Sequence, residues 1–128
     1  GGPEPPVGIS VPQAMYDDFM KISEPIKKIR PDYPFEVKVR EPRKRPTRMG
    51  GTDASVFAVE GVPTLGFTTE DFKGYDFDYG EIWHTERDLY TKNIPEYQEH
   101  TATVTAIIAL GVANLDKQLS REGLYTEE

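Results

Sequence analysis

Residues 79–90, YGEIWHTERDLY, carry the only Trp of the chain, Trp83, directly before one of its two histidines, His84. A neutral imidazole is the commonest metal ligand and an effective general base near neutral pH. His84 is therefore the first candidate for chemistry. It stands where an aromatic stretch ends and a charged turn, TERD, begins, and Asp88 is placed to orient either the ring or the turn. A lone loop histidine is also commonly a hydrogen-bonded surface residue, and spacing alone leaves both roles open.

The other histidine, His100, lies in EYQEHTATV near the start of a helical segment, with Glu96 one turn before it. A helix N-terminus disfavours a charged imidazole, and an ordinary surface contact with Glu96 is the expected arrangement. A second constellation is GGTDASVF, residues 50–57. Its two glycines permit a tight turn, after which Thr52 or Asp53 caps a helix. Asp53 either does only that or belongs to a site. The basic residues Lys38, Arg40, Arg43, Lys44, Arg45 and Arg48 have no aromatic interleaved between Phe35 and Phe57. They read as a solvated loop, with a small anionic ligand as the second option. There is no Gly-rich phosphate loop, no Gly-x-Ser-x-Gly elbow and no paired-histidine metal spacing.

Several elements must position these residues. Ser10 to Gln13 has the pattern of a capping box with Pro12 in the first turn. Behind it Met15, Phe19, Ile22, Ile26 and Ile29 form one apolar stripe of a helix. Pro25 predicts a kink or break near Glu24. FEVKVR, residues 35–40, alternates as a half-buried strand. TDASVFAVEG reads as a short helix stopped by Gly61. VPTLGFT, residues 62–68, reads as a strand buried on both faces. Residues 69–82 lack periodicity and read as a long loop. A second capping box, Asn93 to Glu96, opens a helix whose stretch from Ala102 to Ala113 is apolar on nearly every side; a central helix ending near Gly123 is predicted. The order is α/β. Only two strands are convincing, fewer than the three or more that an independent sheet needs.

The chain has 128 residues, 37% of them hydrophobic, which bounds it to one domain. A net charge of −7 argues against nucleic acid as partner. The absence of cysteine excludes disulfides and thiolate metal sites, so any metal binds through His, Asp or Glu. No apolar run approaches the ~20 residues of a membrane span. The opening GGPEPPVGIS has no Met and is rich in Pro and Gly; residues 1–10 are expected to be an interior loop or linker, residues 120–128 a tail, and the whole a piece of something longer.

GGTDASVFAVEGVPTLGF, then a loop, then IWHTERDLY, then a long Ala/Ile/Leu-rich helix, resembles the C-terminal part of the co-catalytic zinc aminopeptidases. That family includes glutaminyl cyclases, plasma glutamate carboxypeptidase and the transferrin-receptor ectodomain. The likeness covers residues 50–119 well and 8–40 loosely. It implies part of a three-layer α/β/α domain with a mostly parallel sheet, incomplete in this chain, and a hydrolase of the metallopeptidase class. It implies two zinc ions in the parent, with His84 of IWHT as one ligand and Thr85 and Asp88 supporting the turn. Asp53 matches a supporting Asp, although the His that follows it in the family is Ala54 here. The remaining ligands and the general base have no counterpart and are expected in the N-terminal part of the same catalytic domain, which would be the chain's partner. Phe72, Tyr75, Phe77 and Tyr79 would line the pocket for a peptide substrate's first side chain, or pack the loop. Proteolysis outside the cytoplasm is what the family commonly implies. A glutaminyl cyclase-like enzyme and a metal-free interaction module are the alternatives.

Overall fold

The computed structural model describes residues 4–75 and 79–126. Its first element is a strand, β1 (Pro6–Val11), where a loop or linker was expected. Pro6 opens the strand, a position at which the missing N–H is tolerated, and Ile9 and Val11 are fully buried. Proline and glycine richness therefore concealed the most central strand of the molecule.

A 3-10 turn (Gln13–Met15) leads into α1 (Tyr16–Ile29). Ser10 lies in β1, so the expected capping box does not form; Pro12 occupies the N-cap position without a side-chain bond. Nor does Pro25 break the helix, which runs through it to Ile29. Pro25 faces solvent, where water can satisfy the carbonyl that loses its N–H partner. The apolar stripe is buried at Met15, Phe19 and Ile26 and half-buried at Ile22. Ile29, by contrast, is exposed.

β2 (Glu36–Val39) follows as predicted, with Val37 inward. It pairs in parallel with β1, Ile9 opposite Val37 and Val11 opposite Val39, which makes β1–α1–β2 a βαβ unit. The helix α2 (Asp53–Val59) starts after Thr52, and Gly61 beyond its end takes φ +75°. Residues 62–66 are irregular, and β3 (Phe67–Thr69) is a short edge strand antiparallel to β1. It is not buried on both faces: Thr68 and Thr69 are exposed. The sheet is thus three-stranded and mixed, in the order β2-β1-β3.

After α3 (Tyr79–Ile82) and a 3-10 turn (Tyr90–Lys92) comes α4 (Pro95–Ala113). Pro95 sits in its first turn as predicted. The capping box is not made, because the Asn93 side chain donates instead to Gln98 Oε1 at 2.7 Å. α4 is also not a central helix. It buries Tyr97, His100, Val104 and Ile108 along one face, while Leu110 remains 64% exposed. It ends well before Gly123, and the described part of the expected tail, residues 120–126, returns to the body: Leu124 is buried, and Tyr125 forms a parallel bridge with Arg43.

The core is the layer between the sheet and the α1–α4 pair: Ile9, Val11, Met15, Phe19, Ile26, Phe35, Val37, Val104 and Ile108. The two helices touch closely at Gly111, where a Cβ would come within 2.4 Å of Ile22 Cγ2. Among the described residues no helix is long and apolar enough to cross a membrane.

Candidate functional site

His84 lies just past the end of α3, and its placement is set by two neighbours. The Trp83 indole stacks on the imidazole, with ring centroids 4.4 Å apart and planes 20° from parallel. Thr85 closes the turn: its N–H and its hydroxyl both donate to the Ile82 carbonyl, at 3.1 and 2.8 Å. The Thr85 hydroxyl also accepts from the Arg87 N–H at 3.3 Å, and its carbonyl accepts from the Asp88 N–H at 3.2 Å. Thr85 closes the turn with side chain and backbone, and Asp88 joins it through its backbone N–H. Within this turn His84 takes φ +52°, the only positive φ among the described non-glycine residues. A side chain in that region carries steric strain, and such residues concentrate at functional sites. The ring is exposed.

Asp53 is the exposed first residue of α2. The turn before that helix is held by Ser55, whose hydroxyl donates to the carbonyls of Thr52 and Gly50 at 2.6 and 3.3 Å. Asp53 therefore stands where the sequence put it, at a helix start after a tight glycine turn. Among the described residues no set of three or more His, Asp or Glu side chains is grouped to hold a metal ion. His84 is presented as a single donor, and the described residues do not complete a zinc site around it.

Two of the four aromatic candidates make ring contacts with Tyr33 and Tyr97. Phe72 meets Tyr33 edge-on at 5.1 Å and stacks on Tyr97 at 5.9 Å. Tyr75 meets Tyr97 edge-on at 5.2 Å, and its hydroxyl donates to Glu96 Oε1. Phe77 lies outside the described residues, and Tyr79 contributes its backbone to α3.

Sequence reading missed the network these aromatics belong to. Tyr97 donates its hydroxyl to Asp71 Oδ1 at 2.7 Å and accepts from the Lys73 N–H at 3.0 Å. Asp71 Oδ1 also accepts from the Tyr75 N–H at 3.0 Å. Lys73 Nζ reaches Glu96 Oε2 at 3.2 Å and lies 4.7 Å from the Tyr33 ring centre. Burial, reinforced by the Asp71 bond, pushes the Tyr97 phenol up to about 12. The bond from Tyr75 holds the Glu96 carboxyl below its usual range, and the same bond holds the Tyr75 phenol up. The network fastens residues 71–75 to the first turn of α4. The alternation of Asp, Phe, Lys and Tyr was visible in the sequence, but its partners lie over twenty residues away.

His100 is not the surface residue that its Glu96 neighbour suggested. It is fully buried, stacked on Tyr33 at 4.0 Å, and its Nε2–H donates to the Pro6 carbonyl at 3.3 Å. Its Nδ1 has no hydrogen-bond partner. Burial pushes its pKa down, the Arg30 charge adds to that, and the bond to Pro6 opposes it. It is a neutral core histidine joining α4 to β1.

No family model, curated protein or solved structure matches this chain.

Proposed function

We propose that this chain is the C-terminal portion of a zinc-dependent exopeptidase of the aminopeptidase type, with His84 supplying one zinc ligand. The other ligands and the general base would come from the N-terminal part of the same catalytic domain. In this reading the three described strands are part of a larger, mostly parallel sheet with helices on both faces. The observation that carries the proposal is the state of His84: an exposed imidazole, backed by Trp83, on a strained turn that Thr85 closes. That turn falls on the motif, IWHT, in which the resembling family places its last ligand. Zinc bound there would polarise a peptide carbonyl and activate a water; this chain contributes the orientation of one donor and no proton transfer.

The test joins the chain to the N-terminal part of its domain. Zinc content and leucine-anilide hydrolysis are measured with His84 and with His84→Ala. Loss of bound zinc and of at least a hundredfold in rate is expected for the variant. The 128-residue chain by itself should retain no zinc after dialysis. Full hydrolysis by this chain alone would sink the proposal. So would an unchanged zinc content in His84→Ala, which would favour the metal-free interaction module. Cyclisation of Gln-peptides in place of leucine release would reassign the domain as a glutaminyl cyclase.

A further inference from the structure

The basic loop 40–48 has no role in the reading above, yet the fold gathers part of it around one space. Arg43, Lys44 and Arg48 line a single cavity of about 360 Å³, facing Thr52, Ser55 and Thr64 across it. No carboxylate is in its wall. None of the three cations takes part in an ion pair between described residues, although the chain has 22 acidic residues against 15 basic ones. Asp53, next to Thr52 in the chain, is exposed and pairs with none of them. Like charges gathered around one space repel. An anion in that space relieves the repulsion and gains charge-assisted hydrogen bonds.

The wall is held in place without a ligand. The Arg43 backbone is fixed by its bridge to Tyr125 and by the Thr126 N–H, which donates to the Arg43 carbonyl at 2.9 Å. Arg45 fastens the loop to the end of α2, its Nε donating to the Val59 carbonyl at 2.9 Å. Pro42 and Pro46 restrict the backbone on either side of these residues. Across the cavity, Ser55 closes the turn through the carbonyls of Thr52 and Gly50. Thr52 makes no side-chain cap bond to α2, which leaves its hydroxyl able to donate into the cavity. Arg40 registers the same excess of positive charge. Burial, and after it the Arg43 charge, hold its guanidinium below the ordinary range, and its buried Nη1 has no hydrogen-bond partner. The local field is thus positive on a chain that is negative overall, and such fields concentrate anions. A phosphate group, close to doubly charged and with three free acceptor oxygens, suits two guanidinium forks and one ammonium better than a carboxylate does.

We propose that this cavity binds a phosphate group, either free phosphate or that of a small phosphomonoester, held by Arg43, Lys44 and Arg48. The test is calorimetric titration of the 128-residue chain with inorganic phosphate and, separately, with glycerol phosphate, at constant ionic strength set by sodium chloride. Saturable binding is expected, weakened by about tenfold or more in the double variant Lys44→Gln, Arg48→Gln. Both side chains are exposed, so the variant should keep the thermal midpoint of the parent chain. Arg121→Gln, which lies on a different cavity beside Asp116, and Lys27→Gln, a surface cation on α1, should each change the affinity by less than about twofold. Tighter binding of glycerol phosphate assigns the cavity to a monoester; equal or weaker binding assigns free phosphate. Binding no stronger than that of chloride overturns the site. So does full affinity in the double variant, or a loss in Arg121→Gln or Lys27→Gln as large as that in the double variant.

Discussion

His100 and His84 differ in everything except their residue type. The first is enclosed between α4, the Tyr33 ring and the start of β1, with one nitrogen bonded and the other facing no partner. The second stands in solvent on a strained turn, backed by an exposed Trp83. Around His100 the packing extends outward: Tyr33, stacked on it, and Tyr97 are buried, and Phe72 and Tyr75 lean on them. Around His84 the structure commits backbone geometry and little buried area. The first region contributes to holding the domain together. The second is free to bind something, because a ligand must reach the group that holds it.

The largest effects should come from breaking the packed region. Tyr97→Ala removes a fully buried aromatic and the bonds to Asp71 and Lys73. It should cost about 3–5 kcal/mol in urea unfolding, whereas Trp83→Ala at the exposed turn should stay within about 0.5 kcal/mol. Comparable losses for the two would erase the contrast. Tyr97→Phe, which keeps the ring, should cost only about 1 kcal/mol.

Gly111→Ala probes the α1–α4 contact that supports the same region. Alanine gains about 1 kcal/mol of helix propensity over glycine. Its methyl, however, would stand 2.4 Å from Ile22 Cγ2 and 3.1 Å from Ile22 Cβ, so Ile22 must shift at its branch point. Overpacking of this kind costs about 1–3 kcal/mol, and net destabilisation measured by thermal unfolding is expected.

Acid acts next, on the packed region. The folded-state pKa of His100 lies below its ordinary value of 6.5. The unfolded chain therefore binds the proton first as pH falls. The contribution of neutral, buried His100 is complete above about pH 6.5 and is lost as pH falls from there through its folded-state value. Facing groups set the size of the loss: Arg30 at the end of α1 opposes the charged ring, as does burial, and Pro6 of β1 favours it. Glu96 and Lys73, both close to the stacked Tyr33, carry opposite charges bonded to one another. His100→Phe, which keeps the stacking, should flatten the urea midpoint between pH 7.5 and 5. An equal slope in His100→Phe and wild type would remove His100 as its source.

The smallest effect concerns strain. At φ +52° any side chain is disfavoured and glycine is not. His84→Gly should therefore be more stable than His84→Ala by about 1 kcal/mol. Both variants lose the imidazole, so the pair separates the backbone cost of the turn from the loss of the donor.

Local patterns carried β2, the core face of α1, the start of α2 and the proline at the head of α4, because each depends on spacing within a few residues. The turn around His84 was legible for the same reason: Thr85 reaches back only to Ile82. Pro6–Val11 was not legible, since a proline and a glycine in six residues read locally as loop, and only pairing on both sides by β2 and β3 makes them a strand. The end of α4 was also not legible, because Leu115 and Leu119 continue its apolar pattern beyond the last helical turn.

The sequence by itself determined which residues can do chemistry and most of the helices, since residue type and periodicity are local properties. Tertiary structure alone decided the rest: that His100 is interior and His84 exterior, that Phe72 and Tyr75 pack onto α4, and that Tyr125 returns to Arg43. Each of these joins residues far apart in the chain. The free energy that selects them is burial and charge between distant segments, which no local pattern encodes.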